Sequence, residues 1–323
     1  MDYRHLGRSG LQGAPLTLGT MNFGPETEEP ESHRIMDRAL ELGLNFFDTA
    51  NVYGFSAGKG KTEQIIGTWF AQGGGRRDKV VLATKLYGST TDWPNDTFLS
   101  ARNIRHACDA SLQRLQTDYI DVYQMHHVDL DTPIDELWEA FSTLRAQGKI
   151  LYVGSSNFAG WHLAAMQEAA LARHLVGLVS EQSLYNLAER AIEREVLPSA
   201  QHYGIGIIPW SPLHGGLLGG VLRKEAEGVR RARGRAADFV RDHRDQVQAY
   251  EDLCDEAGLA PATVALAWLL TRDGVTAPII GPRTIEQLDE AVEAIDVTLD
   301  PKLLAQLDEI WPGYQPSPLD YAW

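Results

Sequence analysis

Short apolar runs alternate with longer amphipathic stretches along most of the chain. The runs fall at 16–21, 45–48, 80–85, 120–126, 150–155, 178–182, 205–209 and 277–281. Each is short and rich in Val, Ile, Leu or Phe, which predicts strands covered on both faces. Helical periodicity fills 31–42, 61–72, 100–115, 134–147, 162–174, 190–202 and 284–294. Ser142, Ala146 and Gly148 give one of these stretches the small-residue and glycine close typical of a helix end. Strands alternating with helices imply parallel pairing. Eight such units imply one α/β domain over residues 1–323, a closed (β/α)8 TIM barrel.

Some segments fall outside that count. Residues 3–13 read as a hairpin around a Gly-Arg-Ser-Gly turn. Residues 211–236 read as one long loop after the seventh strand, glycine-rich first and then carrying Arg230, Arg231, Arg233 and Arg235. A loop of that length in a barrel is expected to act as a lid. Residues 238–257 and 301–309 read as two extra helices, and the proline-containing tail 312–318 as irregular. Gly58-Lys59-Gly60 lacks the third glycine of a dinucleotide fingerprint and follows no strand directly, so a doubly wound nucleotide domain is not expected.

Charge and cysteines narrow the setting. A net charge of −15 argues against nucleic-acid and anionic-membrane partners, without excluding an anionic cofactor in a locally basic pocket. Cys108 and Cys254 have no disulfide or metal-site spacing, no metal-ligand cluster is visible, and no apolar run is long enough to span a bilayer. A cytoplasmic location is the expectation.

Chemistry converges on one end of the predicted strands. Phe46-Phe47-Asp48 surfaces into a loop carrying Tyr53-Gly54, the next strand ends at Lys85, and the one after it at His126-His127. An isolated tyrosine is a poor acid near neutral pH. A lysine ammonium beside Tyr53 is expected to lower its pKa, and Asp48 to keep Lys85 charged and aimed. The bland reading is an Asp48–Lys85 ion pair stiffening the barrel mouth. A strand-end lysine also suits Schiff-base chemistry, which would leave Tyr53 without a purpose. Residues two apart on a strand share a face, so Val122, Gln124 and His126 point inward and His127 stands at the rim.

F-D-T-A-N-V-Y-G, the A-T-K ending at Lys85 and D-V-Y-Q-M-H-H-V-D around His126 together resemble the aldo-keto reductase superfamily, from about Leu16 to Glu290. Bacterial aldo/keto reductases and potassium-channel β-subunit-like members are closest in pattern. The resemblance implies a hairpin plugging the barrel bottom and a tetrad of Asp48, Tyr53, Lys85 and His126. It implies NADPH-dependent reduction of an aldehyde or ketone, with Tyr53 as proton donor and His126 orienting the carbonyl. Its alternative is a cofactor-holding regulatory subunit with low turnover.

By the same resemblance, Ser156, Asn157 and Gln182 hold the nicotinamide carboxamide and Trp210 stacks on its ring. Gly19, Thr20, Met21, Ser211, Pro212, Leu213, Gly216, Leu217, Gly281, Gln287 and Glu290 complete the cofactor contacts. The run His214–Gly220 offers backbone amides to a pyrophosphate. Arg283, opening the last barrel helix, is placed to meet a 2′-phosphate, which points to NADP. Many relatives carry a lysine where Val221 stands and an asparagine where Ala291 stands, with Arg233 and Arg235 able to compensate from the lid. Phe23, Tyr87, Trp93 and His127 are expected to line a tolerant apolar pocket for a small carbonyl substrate.

Overall fold

The N-terminal hairpin forms as expected, β1 (Arg4–His5) pairing antiparallel with β2 (Gln12–Gly13). The computed structural model describes residues 1–91, 93–228 and 235–314, without the side chains of 235 and 236. Arg230, Arg231 and Arg233, the side chain of Arg235 and the tail beyond Tyr314 therefore lie outside the described residues.

Strand and helix then alternate through β3 (Thr17–Gly19), α1 (Glu29–Glu41), β4 (Phe46–Asp48), α2 (Lys61–Ala71), β5 (Val81–Leu86) and α3 (Ala101–Leu115). The series continues with β6 (Ile120–Met125), α4 (Ile134–Ala146), β7 (Ile150–Ser156), α5 (Gly160–Leu171), β8 (Leu178–Gln182), α6 (Val196–Tyr203) and β9 (Gly206–Ile207). Three helices follow, α7 (Val221–Ala226), α8 (Arg235–Glu256) and α9 (Pro261–Leu270). The described chain closes with β10 (Ile279–Ile280), α10 (Ile285–Glu293) and α11 (Pro301–Ile310).

Strands β3 to β10 pair in parallel, in the order β10-β3-β4-β5-β6-β7-β8-β9. Backbone bonds join the two ends. Ile207 N donates to Gly274 O at 2.9 Å, Thr276 N to Ile207 O at 2.8 Å and Ile279 N to Pro209 O at 2.8 Å. This is the expected (β/α)8 barrel. Helix starts follow local chemistry: Ser100 caps α3 by accepting from Asn103 N, and Asp300 caps α11 ahead of Pro301.

Two expectations fail here. The stretch 211–236 is not one loop, because a 3₁₀ turn (His214–Gly219) leads straight into α7. Leu217, Leu218, Val221 and Leu222 bury in the core and anchor that segment. Helix α9 was not expected at all. Its residues Thr263 to Leu269 are buried on every side, so it has no polar face and no helical period to read.

The barrel interior holds a second apolar cluster of Leu6, Phe46, Val81, Ala83, Val122, Val179, Ile208 and Ala277. Leu6 comes from the hairpin, which therefore plugs the N-terminal ends of the strands. Gly7 permits the approach: its φ is +54°, and a Cβ there would lie 2.5 Å from the carbonyls of Gly204 and Val179.

A register shift between Val153 and Gly154, opposite β8, decides which side chains enter the barrel. Val179 belongs to the interior cluster, yet Gln182, an odd number of residues on, also reaches the interior site. The bulge turns the alternation over once, aiming Gln182 inward and Glu181 outward.

Candidate active site

Asp48, Lys85, Gln124 and Gln182 meet inside the C-terminal ends of four strands, all buried. Lys85 is fully buried and spends its three N–H bonds on Asp48 Oδ1 (2.5 Å), Thr49 O (2.9 Å) and Tyr53 Oη (3.3 Å). Asp48 Oδ2 accepts from Gln124 Nε2 at 3.0 Å and Gln182 Nε2 at 2.9 Å. Its backbone is fixed too, since Thr20 donates from both N and Oγ1 to Asp48 O. Burial alone would depress the Lys85 ammonium, but Asp48 and then Tyr53 outweigh it and raise its pKa. An ammonium favoured in its charged form and with all three N–H groups bonded is poorly placed for Schiff-base chemistry, which needs its lone pair.

Tyr53 stands in the loop after β4, its hydroxyl accepting from Lys85 and leaving its own proton for another acceptor. The residue is partly exposed, whereas its hydroxyl sits beside the fully buried ammonium. Burial pushes the phenol pKa up, Lys85 pulls it down, and Asp48 adds to the rise. The balance is upward. The expectation of a lowered pKa is thus corrected, because desolvation of the phenolate exceeds the pull of a lysine already neutralised by Asp48.

His126 follows β6 and its ring meets Tyr53 edge-on at 6.0 Å. Burial, then Lys85, then His127 lower its pKa to about 3, so the imidazole stays neutral and can donate one N–H. A row of rings runs outward from it. His127 stacks on His126 at 5.0 Å, Tyr87 meets His127 edge-on at 5.1 Å, and Phe98 meets Tyr87 at 5.2 Å. On the other side Phe55 stacks on Tyr53 at 6.1 Å. Phe55 and Phe98 were missed from sequence because they sit in irregular segments. Phe23 is a correction: it is 0% exposed, packed beneath α2, where Thr62 Oγ1 donates to its carbonyl. Trp93 projects into solvent at 72% exposure, outside the row.

The later strands bring Ser156, Asn157 and Trp210 together. Asn157 adopts a left-handed φ of 60°. Its Nδ2 donates to His126 O at 3.2 Å and Ser156 Oγ at 3.0 Å, while its Oδ1 accepts from Trp210 Nε1 at 3.0 Å. Gln182 joins them through its backbone, its carbonyl accepting from Ser156 Oγ at 2.9 Å and Asn157 N at 3.0 Å, while its side-chain amide turns away to serve Asp48. Gly19 and Thr20 are buried in the wall. A Cβ on Gly19 would lie 2.5 Å from Ile279 Cγ2, and Thr20 braces Asp48. Met21 is exposed beside them.

After β9 the chain coils through left-handed Ser211, His214, Gly215 and Gly216, with Pro212 and Leu217 buried and Leu213 partly so. The expected amide cradle is largely spent on itself. His214 N bonds Ser211 O, Gly215 N bonds Ser211 Oγ, and Gly216 N and Leu218 N both bond Leu213 O. Arg283 precedes the N-cap Thr284 of α10 as expected, and its guanidinium pairs with Glu26 at 3.4 Å. Gln287 Oε1 accepts from Arg283 N, and Gly281 O from Asn22 Nδ2, while Glu290 is exposed one turn further on.

The sequence pattern of the aldo/keto reductase family matches residues 15–312. The chain belongs to that family. It is 53% identical to "Uncharacterized oxidoreductase YrpG" of Bacillus subtilis, over the whole of both chains. It is 33% identical to versiconal hemiacetal acetate reductase of Aspergillus parasiticus, over 96% of each chain. A probable voltage-gated potassium channel subunit beta of Arabidopsis thaliana is 32% identical, over 99% of this chain and all of its own.

Aldo/keto reductases generally use NAD(P)H, and the residues here fit such a group at its two ends. Asn157 and Trp210 form a bonded polar edge next to the tetrad. Arg283 offers a half-exposed cation at a helix start. Gln124 is the member of the site that sequence reasoning left unused. Its signal was a polar residue two positions before His126 on the inward face of a buried strand.

Proposed function

We propose that this aldo/keto reductase is an NADPH-dependent oxidoreductase that reduces aldehyde or ketone groups to alcohols, with Tyr53 as proton donor. When bound, the cofactor supplies the hydride. The chain's own part is to hold the carbonyl and to deliver the proton. Neutral His126 donates an N–H to the carbonyl oxygen and aims it at Tyr53. The phenol gives its proton to that oxygen as negative charge develops there, and Lys85 stabilises the phenolate left behind. Asp48, with Gln124 and Gln182 on its second oxygen, keeps Lys85 in place.

One observation carries this reading: Tyr53 Oη accepts from an ammonium whose other two bonds are fixed, leaving the phenolic proton free at the mouth beside His126. The ring row from Phe55 to Phe98 supports an apolar carbonyl substrate. Free, buried Cys108 and Cys254 suit a reducing compartment such as cytoplasm. Tyr53→Phe should lower kcat by roughly 10²-fold or more while NADPH still binds. Turnover within a few-fold of the parent would sink the assignment. The relatives named as channel subunits support a second reading, a cofactor-holding subunit with little turnover. An aldehyde panel with the purified protein and NADPH separates the two.

A further inference from the structure

Glu181 is fully buried on the outward side of β8, next to Gln182, and the tetrad makes no use of it. Among the described residues it has no ion-pair partner. Its Oε1 accepts from Phe158 N at 3.1 Å and Ser183 Oγ at 2.7 Å, and its Oε2 from Ser155 Oγ at 2.5 Å. Burial pushes the carboxyl up to about 7 against the pull of these donors. A buried carboxyl without a cation is a costly way to fill space, which an apolar side chain would fill better.

What the carboxyl holds is specific. Ser155 and Phe158 bracket Ser156 and Asn157, so the grip falls on both sides of the left-handed turn at Asn157. From that turn the Asn157 carboxamide bonds His126 O, Ser156 Oγ and Trp210 Nε1, tying together the segments that end β6, β7 and β9. If the turn relaxes, all three bonds lose their geometry.

We propose that Glu181 is a positioning residue: by clamping both flanks of Asn157 it fixes the Asn157–Trp210 edge against which the cofactor binds. The inference rests on the proposed reductase function for the identity of the ligand, but the clamp itself is a property of the free protein. Glu181→Gln keeps the shape but removes the charge and one acceptor oxygen, so Ser155 must turn its hydroxyl to Ser180 O, 3.3 Å away, and accept from the new amide instead, which loosens the hold on that flank.

Two readouts test it. The first is the Trp210 indole N–H resonance without cofactor, identified among the 8 tryptophans by its loss in Trp210→Phe. In Glu181→Gln it should shift and exchange faster with solvent. The second is NADPH affinity, which should weaken roughly tenfold, the scale of one lost hydrogen bond to a charged group, with kcat at saturating NADPH within about threefold. Ser155→Ala, which removes a single donor to Glu181, should move both readouts the same way by less, and it decides the matter if Glu181→Gln fails to fold. Trp210 resonance and NADPH affinity both unchanged would overturn the proposal and leave Glu181 a packing residue. A shifted resonance in a protein that reduces no carbonyl would uphold the clamp and overturn the reductase function instead.

Discussion

Desolvation and charge compete at single residues here, and each competition has a measurable sign. His126 titrates near 6.5 in an unfolded chain but only at about 3 in place, because burial and the Lys85 ammonium oppose its charging. Its neutral form therefore contributes stability that is fully present above pH 6.5 and is lost as pH falls below it. Relative to His126→Asn, the parent should lose about 1–2 kcal/mol between pH 7 and pH 5, read from denaturant midpoints. Activity should show no limb from His126 in the same range. An inflection near pH 6.5 that disappears in His126→Asn would mean the imidazole charges freely. Tyr53 shows the opposite lesson: Lys85 pulls its pKa down as the residue types imply, yet burial wins. Residue identities give the direction of each contribution, and only packing weighs them.

Elements decide the geometry around Arg283, where the proposed function puts the cofactor's far end. The loop after β3 reaches across to the start of α10 through Asn22 to Gly281 O, Thr27 Oγ1 to Arg283 O and the Glu26–Arg283 pair. On the proposed reading, a cofactor phosphate at Arg283 would compete with Glu26 for the guanidinium. Arg283→Ala should weaken NADPH by roughly 10- to 150-fold, the range of a charge-assisted bond, and leave NADH nearly untouched. Glu26→Gln should tighten NADPH by only a few-fold, since an exposed pair is worth at most about 1 kcal/mol. Affinities for both cofactors measured on each variant give the ratio that matters. Equal weakening of both by Arg283→Ala would move Arg283 to the pyrophosphate or the helix start. The pairing of these two segments was not legible, because nothing local links Glu26 to a residue so distant in sequence.

At the scale of the whole molecule, the barrel is stoppered at one end and carries the candidate active site at the other. Leu6 closes the interior cluster from the hairpin. Leu6→Ala should cost about 2–5 kcal/mol in denaturant unfolding and leave kcat nearly unchanged, since the tetrad lies at the opposite strand ends. A loss of activity larger than the loss of folded protein would mean that the two ends are coupled.

The sequence by itself determined the strand–helix alternation, hence the parallel barrel, and the end of the strands at which Asp48, Tyr53, Lys85 and His126 gather. Period and strand length are local properties, and side-chain alternation follows from them. Where alternation breaks or burial is complete, the sequence carried no sign. The bulge in β8 turned Gln182 toward Asp48 and Glu181 away from it. Helix α9, buried all round, showed no period, and Phe23 went under α2 rather than into the pocket. The glycine turn after β9 closed most of its amides on itself. Each of these depends on which surfaces meet across the fold, and only the tertiary structure sets that.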